Sequence, residues 1–290
     1  DSYAFDTNML IVKKGVLNII KGKYKELNFG NVNATMSLDK NGMFSIHSNR
    51  FDFAEGISTL RGVSDLKNHK YNIRLGVRDV DSNLISSVIL SLPNEISGKA
   101  SGLIILNTDK SMKLNGSMNF KVLNGTIEKI GLVEYLLRFT SFLRNPLAMV
   151  NPTTVVKLVN IPKGNFDNIE GELQINNNVI DRIMIKSTAP QLSTVIIGKY
   201  NIERSDAALR IYTKFSNKSK GMTGIFEHIS LGGLANAIPL GNKNAKNYYE
   251  AELKMIPPIN AEEKDCQVYL TTIDGDLTNN NFISSLKKIE

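Results

Sequence analysis

From Met9 to Ile127 the chain repeats a single device: a short alternating or apolar run, a turn, and another such run. Tyr71, Ile73, Leu75 and Val77 alternate with Asn72, Arg74 and Gly76, and a two-residue period puts successive side chains on opposite faces of an extended strand. One face of that strand is apolar and the other mostly polar. The runs Met43–Ile46, Phe51–Phe53 and Leu103–Leu106 are of the same kind. Asn41-Gly42, Asn115-Gly116 and Asn124-Gly125 offer the positive φ that tight hairpin turns demand, so the reading is a meander of antiparallel strands.

The period changes at Gly131. Leu132, Val133, Leu136, Leu137, Phe139 and Leu143 recur at helical spacing ahead of Asn145-Pro146, and a second helix is expected from Asn151-Pro152 to Ile161-Pro162. Strands resume at Phe166–Ile175, turn at Asn176-Asn177-Asn178, and continue through Val179–Ser187, Val195–Tyr200 and Leu209–Phe215. Met222, Ile225, Phe226, Ile229 and Leu234 predict a third helix between Ser219 and Pro239. Strands are expected at Tyr248–Met255, closed by Pro257-Pro258, and at Val268–Ile273, with a frayed polar end. The fold class is mainly β: an elongated antiparallel sheet with short amphipathic helical inserts. The stripe Leu132, Leu136, Phe139, Leu143 fits either a membrane-facing helix, with Arg138 and Arg144 reaching head groups, or a helix capping the β core.

Chemistry has little foothold. The three histidines, His47, His69 and His228, lie at no ligand spacing, and the lone Cys266 has no partner for a disulfide or a zinc pair. Asp79-Val80-Asp81 and Asp274-Gly275-Asp276 continue into no glutamate-terminated calcium loop and are read as turns. The chain has no G-x-S-x-G elbow and no phosphate-cradling glycine pattern. No catalytic residue, metal ligand or cofactor site is assigned, and a non-enzyme is expected. The net charge of +7 is carried by lysines spread singly, such as Lys99, Lys110, Lys113, Lys121 and Lys129, and there is no tryptophan for base stacking, which argues against nucleic acid. With 42% hydrophobic residues the chain buries a substantial apolar surface, yet no run approaches the ~20 residues of a membrane span. The opening Asp1-Ser2-Tyr3 reads as the start of an excised segment, with any anchor expected upstream.

The order of these elements carries a resemblance. Strands lead into Gly-Lys-Ala-Ser-Gly (98–102), then FKVLNGTIEKIGLVEYLLRF (120–139), FDNIEGELQINNNVI (166–180) and MIKSTAPQLSTVIIGKYNIERSDAALRIY (184–212). With YNIRLGVRDVDSNLISSVI (71–89) upstream, this resembles the C-terminal region of AsmA-like envelope proteins over most of residues 10–215, and loosely after Ser219. The resemblance implies a U-shaped β-groove, apolar inside, in a periplasmic domain of an inner-membrane-anchored protein that supports phospholipid transport toward the outer membrane. Residues 1–218 would form the groove with a helical insert at about 128–160, and residues 219–290 would continue or cap it. The lining is expected from Ile73, Leu75, Val77, Leu103, Ile105, Ile183, Ile185, Leu209 and Ile211, and the partners expected are a phospholipid or other acyl lipid, the membrane through a segment outside the chain, and other envelope proteins. The other reading is an assembly module for outer-membrane proteins, docking partners through sheet edges and helices around a packed interior.

Overall fold

A computed structural model describes residues 11–90, 92, 94–108, 111–127, 130–131, 160–161, 164–190, 192–216, 245–260, 265–277 and 281–289. Seven strands come first: β1 (Val12–Tyr24), β2 (Leu27–Leu38), β3 (Met43–Phe53), β4 (Gly56–Asp65), β5 (Lys70–Asp81), β6 (Lys99–Thr108) and β7 (Leu114–Ile127). A helix, α1 (Ser82–Ile89), joins β5 to β6. A two-residue ladder of β8 (Ile130–Gly131) with β9 (Asn160–Ile161) precedes β10 (Gly164–Asn176), β11 (Val179–Ala189), β12 (Leu192–Asn201) and β13 (Asp206–Ser216). Helix α2 (Ala245–Leu253), β14 (Cys266–Asp276) and β15 (Asn281–Lys288) complete the described chain.

Thirteen of these strands form one antiparallel sheet in chain order, with β10 following β7 directly. The sheet is curved and does not close on itself. The strands after Ser219 belong to the same sheet, because β14 pairs with β13 from Asp206↔Asp276 to Ser216↔Cys266. Neighbouring hairpin ends are stitched to one another: Leu66 N–H donates to Gly42 O at 3.0 Å, Asn178 N–H to Leu114 O at 2.9 Å, and Ile202 N–H to Asn178 O at 2.9 Å. These bonds satisfy turn amides that would otherwise face only water.

Several elements differ from the sequence reading. Asn41-Gly42 does make the β2–β3 turn, with Gly42 at φ 83°. Asn115-Gly116 and Asn124-Gly125 instead lie inside β7. Their permissive backbone is used there for local distortion: Asn124 takes φ 49°, and a Cβ on Gly116 would collide with Ile105 O across the sheet. Asp79 sits in a bulge of β5 at φ 54°, and Asp81 caps α1 by accepting from Leu84 N–H at 2.9 Å, so this acidic pair ends a strand and starts a helix. Asp274-Gly275-Asp276 is strand, paired with β13.

The segment expected as a strand at Tyr248–Met255 is mostly helix α2. Glu250, Ala251, Glu252, Leu253 and Lys254 are all strong helix formers, and Lys254 pairs with Glu250 at 3.1 Å one turn back. The polar end expected to fray forms β15 from Asn281 to Lys288. The helices expected at 131–143, 151–161 and 219–239 lie almost wholly outside the described residues.

Candidate functional site

Paired residues in an antiparallel ladder share a face, so the registers sort side chains without ambiguity. One row runs Leu60, Leu75, Ile104, Met118, Leu173, Ile183, Gly198, Leu209 and Ile273, strand by strand from β4 to β14. A parallel row holds Val77, Gly102, Phe120, Gly171, Ile185, Ile196 and Ile211. A third holds Ile46, Gly62, Ile73, Leu106, Gly116 and Ile175. None of these positions carries a charge. Where two glycines would leave a gap, the Phe120 ring lies over Gly171, covering the point a Cβ would occupy.

The opposite face is mostly polar from β4 to β11, as in the rows Arg61, Arg74, Ile105, Ser117, Gln174 and Ser101, Lys121, Glu170, Lys186, and turns apolar along β12–β14, where the second row continues as Val195, Tyr212 and Leu270. We call the apolar face inner and the polar face outer. Ile73, Leu75, Val77, Ile183, Ile185, Leu209 and Ile211 all project from the inner face, as a lining requires. Leu103 and Ile105 do not: they pair with Gly76 and Arg74 and stand on the outer face. The inner positions of β6 are Ile104 and Leu106. Leu103–Leu106 is apolar at every position, so its own pattern carries no facing, and only the neighbouring strand resolves it. The helical candidates Leu132, Leu136, Phe139 and Leu143 lie outside the described residues.

The inner face has two halves. Along β10–β14 it is buried: Ile183 is 3% exposed, Leu209 3% and Ile273 0%, in one cluster with Leu173, Ile175, Ile196, Tyr200 and Ile211. Along β3–β7 the inner side chains Ile46, Leu60, Leu75, Val77, Ile104, Leu106, Met118 and Phe120 are only partly buried, and Ile73 is 36% exposed. At the far end of β5 from its Lys70 start, α1 closes this open half. Its Leu84, Ile85, Val88 and Ile89 pack with Phe53, Val77, Val80 and Ala100.

Helix α2 lies on the outer face of the buried half. Glu252 accepts from Arg210 Nε at 2.8 Å and Nη2 at 2.5 Å, and from the Tyr212 hydroxyl at 2.5 Å, while Tyr249 stands edge-on to the Tyr212 ring at 6.3 Å. Burial and the Glu252 carboxylate push the Tyr212 phenol well above its ordinary range. Burial alone would raise Glu252, but the bonds from Arg210 and Tyr212 outweigh it and hold the carboxyl below its ordinary range. Just beyond α2, Pro257 O accepts from Ser193 Oγ at 2.7 Å. Nothing local in the sequence signals this pin, whose partners lie about forty residues apart.

A depression of about 400 Å³ on the outer face is bordered by Lys121, Glu170, Glu172, Met184 and Lys186. His47 stands on the outer face opposite Thr35 and Arg61, His69 in the β4–β5 turn, and His228 outside the described residues. Among the described residues no three His, Cys, Asp or Glu side chains are placed to hold a metal ion, and no helix is long and apolar enough to cross a membrane. Comparison with known proteins returns nothing: no family model, curated protein or solved structure matches this chain.

Proposed function

We propose that this domain is a non-enzymatic lipid-binding and lipid-transfer module whose inner face holds the acyl part of a lipid. The observation that carries the reading is the uncharged apolar row crossing β4–β14, left partly open along β3–β7. Hydrocarbon needs continuous apolar lining and no specific polar partner, and each methylene removed from water contributes ~0.8 kcal/mol. The resemblance to AsmA-like proteins gives the cellular frame: a periplasmic domain of an inner-membrane-anchored protein, supporting phospholipid transport toward the outer membrane and its integrity. In that frame the partners are phospholipid, the membrane through a segment outside the chain, and other envelope proteins.

Extraction of the purified protein followed by mass spectrometry tests the reading. Phospholipid in stoichiometric amount is expected, and Leu75→Asp should deplete it while the β signal in circular dichroism persists. Repeated lipid-free preparations that also take up no fluorescent fatty acid would sink it. The assembly-module reading is favoured by one observation, the burial of the inner face along β10–β14, which there behaves as a core. Lipid-free preparations would pass the function to that reading.

A further inference from the structure

The open half of the inner face is closed on two sides, and a third side carries lysines. Toward β10 it meets the buried cluster around Ile183, Leu209 and Ile273. At one end of the strands α1 closes it. At the other end lie the β2–β3 and β4–β5 turns, joined by the Leu66 N–H bond to Gly42 O, with Lys40, Lys67 and Lys70 in or beside them. The Lys67 stem lies against Gly42, its Cγ 3.1 Å from where a Cβ would stand, so the two turns form one continuous lip.

The lip also holds Asp39 and Asp65, but both carboxylates are turned back on their own loops. Asp39 accepts from Asn41 N–H and Met43 N–H at 2.9 Å, and Asp65 from Lys67 N–H and Asn68 N–H at 3.1 Å and Asn68 Nδ2 at 2.7 Å. The Asn68 bonds hold the Asp65 carboxyl below its ordinary range, with a smaller contribution from the Lys70 charge. Lys40 and Lys67 are exposed, and neither side chain is engaged by those carboxylates. Directly inward from the lip, β5 presents Tyr71, then Ile73, Leu75 and Val77, which ends against α1.

From this juxtaposition we propose that the open half is a site for one anionic acyl lipid, its head group at the Lys40–Lys67 lip and its chain running along Ile73, Leu75 and Val77 toward α1. Lys70, beside Asp65 on the outer face, takes no part. The chain does not enter the β10–β14 half, whose inner face has no room. The assignment rests on the lipid-binding reading and adds to it a charge requirement, an orientation and a boundary. Charge complementarity selects the occupant: an uncharged interior takes hydrocarbon, and a basic lip favours a carboxylate or phosphate head over a neutral one.

Two probes separate these claims, palmitate and hexadecanol, each carrying a mid-chain diazirine. Palmitate is expected to bind about fivefold more tightly than hexadecanol, as for two exposed ion pairs of ordinary strength, and the preference should vanish in Lys40→Glu/Lys67→Glu. Photolabelling of the unmodified chain needs no variant. Label is expected on Leu60, Ile73, Leu75, Ile104 and Met118, and not on Ile196, Leu209, Ile211 or Ile273. Equal affinity for the two probes, a preference that survives the double variant, or label on the β12–β14 positions would overturn the assignment and leave lipid binding standing. Failure of both probes to bind would sink the lipid-binding reading, and this one with it.

Discussion

Ile104 and Ile105 are adjacent, identical and both partly buried, yet the register puts them on opposite faces, so the same substitution should have unequal consequences. Ile104 pairs with Leu75 on one side and Met118 on the other, both apolar. Ile104→Asp removes a half-buried aliphatic side chain, worth about 1–2 kcal/mol, and sets a carboxylate among hydrocarbon at a further ~1–3 kcal/mol. A total of roughly 2–5 kcal/mol should lower the melting temperature by about 3–8 °C in a cooperative transition of a chain this size. Ile105 pairs with Arg74 and Ser117. Ile105→Asp forfeits a similar partial burial but faces a guanidinium across the ladder, which returns ~0.2–1 kcal/mol, so its net cost should stay near 1 kcal/mol. Urea titration followed by circular dichroism gives both stabilities, and lipid extraction gives the loading. Equal destabilisation, or loss of lipid in Ile105→Asp with retention in Ile104→Asp, would refute the facing on which the account rests.

Other outcomes follow from particular contacts. Leu209→Ala, at a position 3% exposed in the closed half, should cost about 2–5 kcal/mol while leaving lipid loading per folded molecule unchanged. Glu252→Gln should loosen α2, read as faster hydrogen exchange in residues 245–253; because Arg210 is 38% exposed, a discounted ~1–2 kcal/mol is expected. The pin has a pH window. Glu252 titrates below its ordinary range when folded, so its contribution is full above that range and is lost as pH falls through the folded value. Tyr212 titrates above its ordinary value of 10.0, so its contribution holds below about pH 10 and declines as pH rises beyond it. Protection of the α2 amides, measured as the exchange rate relative to the intrinsic rate at each pH, should therefore be greatest at intermediate pH. Phe120→Ala should uncover Gly171 and, because Phe120 is only partly buried, destabilise by about 1–3 kcal/mol, measured by urea titration.

The sheet is legible in the sequence because alternation is a local signal. In β5 every second residue from Tyr71 to Val77 is apolar, and the structure places that set on one face. In β6 the signal fails, since Leu103, Ile104, Ile105 and Leu106 are all apolar and only pairing with Arg74 and Gly76 decides which face each takes. Asn-Gly pairs report a need for unusual φ, and a local distortion inside a strand satisfies that need as well as a turn does, which is why Asn124-Gly125 reads as a turn and lies within a strand. Tyr248 and Tyr249 read as strand by propensity, but the helix formers after them and the pin from Tyr212 and Arg210 decide the segment. That pin and the basic lip join residues distant in sequence, and no local pattern announces either.

Cysteine protection on the two faces of β5 tests the central claim most directly. In a Cys266→Ser background, Leu75→Cys and Arg74→Cys place one thiol on each face, and alkylation by a water-soluble maleimide is timed with and without bound palmitate. Hydrocarbon on the inner face should slow the reaction at position 75 about tenfold and leave position 74 unchanged. Equal rates at position 75 with and without bound palmitate would contradict the account.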